Sequence, residues 1–385
     1  MGDFSEEKLK EIMNHRNQPC VSIYLPTYRT GKEVWANAIL FKNLLQQAEK
    51  ELENNNLNSH EIDKILKPGK ELLADEFFWL NQEDSLAVFL WGEGSHTFRL
   101  PQKLEELVVV ANGCYCKPLL PLLNHNQEYY ILALDLSHIQ FYRANQYEIS
   151  EIKLNRFPGS FQDFLDVFDF ERKYQFQTQA THSKGSKAAM FHGHSVGKDE
   201  LVQKRYILQY FHDVDKSVSA YLAGKVAPLI LVGVDYLIPL YRESNTYPHL
   251  VESAIDKDPE ALSEKELHQQ SRQIIESLLN QKEQEALEKY SDLKGKGRTS
   301  GNLEEIVLAA WQGRVDTLFV DRQKQQWGVF NPETLQLELR DKGDIHCREL
   351  TDFAAVQTYL KKGSVFVLDS GNMPEHTPLA AIYRY

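Results

Sequence analysis

The segment from Gln177 to Asp235 constrains the fold most, because three kinds of pattern succeed one another there without a break. Between Thr181 and Asp199 glycines and short polar residues dominate, as in Lys184-Gly185-Ser186-Lys187 and His192-Gly193-His194-Ser195, and apolar periodicity disappears. That composition predicts an exposed loop over 181–199. Asp199 is placed to cap a helix after the loop, its carboxylate accepting from the orphan amides of a first helical turn. Ile207, Phe211, Val214, Val218 and Leu222 recur at steps of three and four, so one helix face packs inward. Gly224 stops that helix, Pro228 prevents its restart, and Leu229 to Asp235 reads as a buried strand. The unit is loop, helix, strand.

A chain of 385 residues exceeds one ordinary core and is read as three α/β domains, 1–124, 125–255 and 256–385. With 42% hydrophobic and 25% charged residues it has a globular composition, and no apolar run approaches a membrane-spanning length. The acidic start, Asp3 to Glu7, is unlike a secretory signal, so the cytoplasm is the expected location. Cys20, Cys114, Cys116 and Cys347 lack zinc-knuckle spacing and are expected as free thiols. A net charge of −12 excludes general coating of nucleic acid, which draws on clustered Lys and Arg. The charge is uneven, however: Lys184, Lys187, Lys198, Lys204 and Arg205 face only Asp199 and Glu200 between Thr181 and Arg205. A basic tip on an acidic body can approach RNA locally.

Along the chain, a helix from Glu6 to His15 precedes a strand between Pro19 and Pro26, and Phe41 to Leu52 keeps helical spacing until Asn54-Asn55-Asn56. Leu86 to Leu100 reads as a hairpin and Val108 to Val110 as a further strand. Tyr129 to Asp135, His138 to Tyr142 and Tyr147 to Leu154 form a three-stranded meander, giving the second domain a mixed sheet, with another strand at Tyr174 to Gln179. In the last region Ser263 and Glu266 make a capping box, Asn302 caps a second helix, and Gly313 ends it before the strand Val315 to Val320. Alternating helices and strands there predict an α/β/α sandwich.

The joint Ala309-Ala310-Trp311-Gln312-Gly313-Arg314-Val315-Asp316-Thr317-Leu318-Phe319-Val320 resembles the third domain of class 1 archaeo-eukaryotic peptide chain release factors and of pelota. The resemblance implies an L7Ae-like fold for that region. Val21 to Pro26 with the Phe41 to Leu52 helix looks like the family's first domain, and the meander, loop, Lys204-Arg205-Tyr206 helix and Leu229 strand look like its second. More narrowly the chain resembles the bacterial branch, family 3. It implies ribosome rescue or translation quality control, ribosome and tRNA as partners, a translational GTPase or ATPase as a further partner, and no cofactor. One departure counts against peptidyl-tRNA hydrolysis: no Gly-Gly-Gln occurs anywhere, and the nearest counterparts by position are Gly193-His194-Ser195 and Lys184-Gly185-Ser186. The stop-codon sequence Asn-Ile-Lys-Ser is absent as well.

The candidate catalytic loop is therefore His192, Gly193, His194 and Ser195, with Lys184, Lys187, Lys198, Lys204 and Arg205 as RNA contacts. The alternative is a metal-dependent hydrolase or nuclease in which His182, His192 and His194, or Asp135 and Asp235 at two strand ends, hold zinc or a metal pair. Aspartate at a strand end is more often a turn former. A third reading is a non-catalytic module that binds RNA or protein. Lys294 to Gly301 is glycine-rich and basic, but it lacks the lysine before Ser/Thr of a phosphate loop and reads as an interhelical turn.

Overall fold

The computed structural model describes residues 6–14, 18–31, 33–92, 94–125, 128–154, 160–166, 196–342 and 344–385. Two compact units result, one of residues 1–124 with 281–385 and one of residues 125–280. The first sheet is antiparallel, in the order β3-β2-β1-β4, from β1 (Pro19–Pro26), β2 (Ser85–Trp91), β3 (Gly94–Leu100) and β4 (Leu107–Asn112). Strand residues alternate between two faces, and each face has its own core. Val21, Ile23 and Leu25 point to α2 (Val34–Asn54) and α3 (Ser59–Ala74), where Phe41, Leu45 and Ile65 are buried. The short α4 (Glu76–Leu80) adds Trp79 to this side. Cys20 and Tyr24, with Phe89 and Val109, point the other way. There they meet α1 (Glu6–Asn14) and α5 (Leu120–His125), and also Ile306, Leu350 and Phe353 from the far end of the chain.

That shared cluster explains why compactness does not separate the first and third sequence regions. The first sheet is apolar on both faces, yet its own helices cover chiefly one, so the C-terminal region supplies the rest. In that region β10 (Thr299–Ser300), α9 (Leu303–Gln312), β11 (Val315–Asp321), α10 (Leu350–Leu360), β15 (Ser364–Leu368) and β16 (Leu379–Tyr383) alternate. Strand β11 pairs in parallel with β15 and antiparallel with β16, and β10 joins the far side of β16. Gly313 caps α9 at φ 75°, a left-handed conformation that a β-carbon would strain, and this turns the chain into β11. The helix therefore ends at the glycine that its sequence marks. A small sheet in the order β13-β12-β14 is formed by β12 (Trp327–Asn331), β13 (Gln336–Leu339) and β14 (Arg348–Glu349).

The central unit contains a mixed sheet in the order β7-β6-β5-β8-β9. Strands β5 (Tyr129–Leu134), β6 (Gln140–Ala144) and β7 (Ile149–Glu151) make the expected meander, and β8 (Leu229–Gly233) runs parallel to β5. The long α6 (Val196–Tyr221) covers one face, followed by α7 (Leu237–Ser244), the short β9 (Ile255–Asp256) and α8 (Glu264–Leu293). Ser263 and Glu266 cap α8 reciprocally, Glu266 N–H donating to Ser263 Oγ and Ser263 N–H to Glu266 Oε2. The unit boundary at 280 falls inside α8, beyond the 255 expected from Pro248 and Pro259, because the first turns of α8 bury Leu267 and Ile275 against the sheet. Asp199 is not the cap expected, since α6 begins at Val196 and already includes it. The strand expected at 174–179 lies outside the described residues.

The cysteine expectation is corrected in part. Cys20 and Cys114 form a disulfide with their Cα atoms 5.2 Å apart, while Cys116 and Cys347 are free and buried. Sequence spacing hides this pair because β1 and β4 are neighbours only in space, with Pro19 opposite Asn112.

Shortly after β4, Lys117 is buried at 2% exposure. Its Nζ donates to the carbonyls of Asp321 and Lys324 and to Thr351 Oγ1, with Glu349 at 3.8 Å. Glu349 caps α10, accepting from the Thr351 and Asp352 amides. Asp352 Oδ1 accepts from the Cys116 amide. Burial, and then the neighbouring Glu349, push the Asp352 carboxyl up to about 7. The folded chain thus holds this proton more tightly than the unfolded one, so the group is harmless below about pH 4 and destabilises increasingly as pH rises through about 7. Asp352→Asn should accordingly raise the Tm at pH 8, and the gain over the parent protein should shrink to nothing by about pH 4, as thermal melts across pH would read. A gain independent of pH would contradict this assignment.

Candidate functional site in the central unit

Helix α6 is built on the apolar steps of three and four in its sequence. Ile207, Phe211, Val214, Val218 and Leu222 are all buried against Leu132, Leu229 and Leu231 of the sheet. Its other face carries exposed Lys204 and Arg205, Lys204 lying 3.9 Å from Glu243 on α7. An ion pair between two groups each more than half exposed contributes little, so both cations stay available to solvent.

Two polar clusters fix the helix, and neither is visible in the sequence. Asp215, 1% exposed, accepts from the Thr246 amide and hydroxyl, from the Tyr241 hydroxyl and from Ser219 Oγ. One carboxylate thereby ties α6 to α7 and to the turn beyond it. At the other end, Lys225 lies over the Tyr221 ring at 4.3 Å and the Tyr130 ring at 4.9 Å, and donates to the Tyr130 hydroxyl. Tyr130 in turn donates to Glu128, and burial, then this hydrogen bond, raise its pKa. An aspartate and a lysine within otherwise ordinary helical and turn sequence give no warning of such roles; only the partners do.

Residues 129–277, the sheet with α6, α7 and the start of α8, match the family described as bacterial archaeo-eukaryotic release factor family 7. Over these residues the chain is similar to a release-factor family. The broader resemblance in the sequence stands, and the matching family is the seventh where the sequence patterns suggest the third. The comparison with curated proteins gives no match. Among solved structures, the chain is similar to an archaeal translation termination factor, aRF1, at 14% identity over 98% of this chain and 96% of that one, with a TM-score of 0.24. It is also similar to archaeal Pelota in a model of ribosome-bound Pelota and ABCE1, at 17% identity over 76% and 72% of the two chains (TM-score 0.39). A third similarity is to S. cerevisiae Dom34, a translation termination-like factor interacting with Hbs1, at 11% identity over 77% and 74% (TM-score 0.33).

Within this matched region, the candidate loop residues His182, Lys184, Lys187, His192, Gly193, His194 and Ser195 lie outside the described residues. Lys198 belongs to the first turn of α6. Asp135 and Asp235 do come to one edge of the sheet, since β5 and β8 run parallel with Leu134 opposite Gly233. Asp135, however, is used as a turn former, its Oδ1 accepting from the Ser137 amide and hydroxyl. Among the described residues no group of three or more His, Cys, Asp or Glu could hold a metal ion. Residues 294–297 form a turn, with Gly295 and Gly297 at φ 76° and 73° and Lys294 paired to Glu375 at 3.1 Å, and Thr299–Ser300 beyond it are strand β10.

The Asp215 cluster gives a direct test of how this domain is held. Asp215→Ala leaves the Thr246 amide and the hydroxyls of Thr246, Tyr241 and Ser219 without their buried acceptor and should cost roughly 3 kcal/mol, read by urea unfolding. Asp213→Ala, which removes only a solvent-facing pair with Lys216, should cost under about 0.5 kcal/mol.

Proposed function

We propose that this chain is a release-factor-like, ribosome-associated protein acting in ribosome rescue or translation quality control. The observation that carries the reading is the family match over residues 129–277, which covers the loop and the α6 helix together. Between residues 184 and 205 the sequence carries Lys184, Lys187, Lys198, Lys204 and Arg205, a local excess of positive charge on a chain of net charge −12. Phosphate attracts such a cluster while the acidic body is repelled, so contact with RNA is confined to this tip. In this reading the loop enters an empty ribosomal A site and reaches toward the end of peptidyl-tRNA. The C-terminal region, proposed as L7Ae-like, contacts a translational GTPase or ATPase, the class of partner that membership of the release-factor superfamily implies. Such a protein works in the cytoplasm; among the described residues no helix is long and apolar enough to cross a membrane.

The missing Gly-Gly-Gln favours a second reading in which the domain recognises without hydrolysing. The chemistry of the glutamine triplet depends on glycines that let the backbone approach the ester, and Gly193-His194-Ser195 supplies only one of them.

Co-sedimentation with vacant and nascent-chain-stalled bacterial ribosomes at two salt concentrations, scoring freed peptide in the same tubes, separates these outcomes. Binding that weakens with salt is expected. Changing Lys184, Lys187 and Lys198 together to Ala should flatten the salt slope by about two to three in log–log terms. Peptide release would assign chemistry to the His192 to Ser195 loop, and its absence would favour recognition alone. No sedimentation at either salt would remove the ribosomal reading. Stoichiometric zinc or manganese after metal-replete purification would instead favour the hydrolase.

A further inference from the structure

Cys114 to Lys117 is a four-residue clamp between the first sheet and the C-terminal region of the same compact unit. Toward the sheet, Cys114 is bonded to Cys20 at the start of β1, the Tyr115 amide donates to Ser22 Oγ at 3.0 Å, and the Tyr24 hydroxyl donates to the Tyr115 carbonyl. Toward the C-terminal region, the Cys116 amide donates to Asp352 at 2.8 Å and Lys117 Nζ to the Lys324 carbonyl at 2.7 Å. Among these ties the disulfide alone is covalent. It anchors the clamp's first residue 94 positions away in sequence.

The two cysteines differ in access. Cys20 is wholly buried, whereas Cys114 is 8% exposed and lines a narrow recess with Met13, Asn112, Gly113 and Arg348. A thiolate entering from solvent therefore meets Cys114 first. Cys116 does not compete for it, since burial, then Asp352, push its thiol well above the usual range.

We propose that the Cys20–Cys114 disulfide is a redox-controlled staple that sets how tightly the C-terminal region is held to the first sheet through residues 114–117. In the reductive step a small dithiol attacks the Cys114 sulfur as its thiolate. The Cys20–Cys114 bond breaks, Cys20 leaves as thiolate and takes up a proton, and a mixed disulfide forms on Cys114. The second thiol of the reductant resolves it, so that two protein thiols and one oxidised dithiol result, a two-electron exchange. Buried cysteines pack as small apolar groups, so the reduced chain stays folded while the clamp loses its anchor.

The test uses the full chain after equilibration with oxidised glutathione. Alkylation of the denatured, unreduced protein should label two cysteines by intact mass, Cys116 and Cys347, and all four after dithiothreitol. Hydrogen exchange on the native oxidised and reduced proteins should then differ by about tenfold or more at the Tyr115 and Cys116 amides and through Cys347 to Phe353. Exchange in β5 and β8 should not change. Cys114→Ala should show the reduced pattern without dithiothreitol, and Cys116→Ser should keep the oxidised one. The comparison of oxidised and reduced parent protein stands even where a variant folds poorly. Four labelled thiols before reduction, or equal exchange in the two redox forms, would overturn the proposal.

Discussion

The first and last regions of the chain are joined through one buried ammonium. Lys117, held inside the unit, finds two carbonyls and a threonine hydroxyl as acceptors, with the Glu349 carboxylate nearby. A cation removed from water costs several kcal/mol unless its protons are all directed at acceptors. Three hydrogen bonds to groups from distant parts of the chain meet that demand, so these segments must arrive together for the charge to be tolerated at all. Much of the surrounding geometry depends on that requirement: Glu349 both caps α10 and lies beside the ammonium, and Asp352 is carried in on the same turn. This second carboxyl answers burial by keeping its proton to higher pH.

Local patterns are legible wherever one segment decides its own fate. The strand between Pro19 and Pro26, the capping box at Ser263, the helix stop at Gly313 and the meander after Tyr129 all depend on residues within a few positions of one another. Pairings across the chain are not legible. The Cys20–Cys114 bond, the Lys117 site and the second cover of the first sheet each join segments far apart in sequence, and nothing in either partner alone marks it for the other. Asp199 misleads for a subtler reason: a good capping residue does not begin a helix when the chain before it, from Val196, can already be helical.

The central domain shows the same division at the level of a candidate site. The apolar stripe of α6 can be read from spacing, whereas Asp215, which secures α6 to α7, is indistinguishable in sequence from a surface carboxylate such as Asp213. Asp135 illustrates the converse. Its place at a strand end suggests metal chemistry, but its oxygen closes a turn onto Ser137.

The apolar cluster shared by the first sheet and the C-terminal helices has a consequence for synthesis on the ribosome. Chain emerges from the first residue onward, so the face carrying Phe89 and Val109 is made long before Ile306, Leu350 and Phe353 exist to cover it. The central unit, by contrast, is continuous in sequence and can close its core as soon as its own residues have left the tunnel. The nascent protein therefore has an interval in which its middle is finished and the first sheet is not, a period of exposed apolar surface that lasts until the helices carrying Ile306, Leu350 and Phe353 have been made.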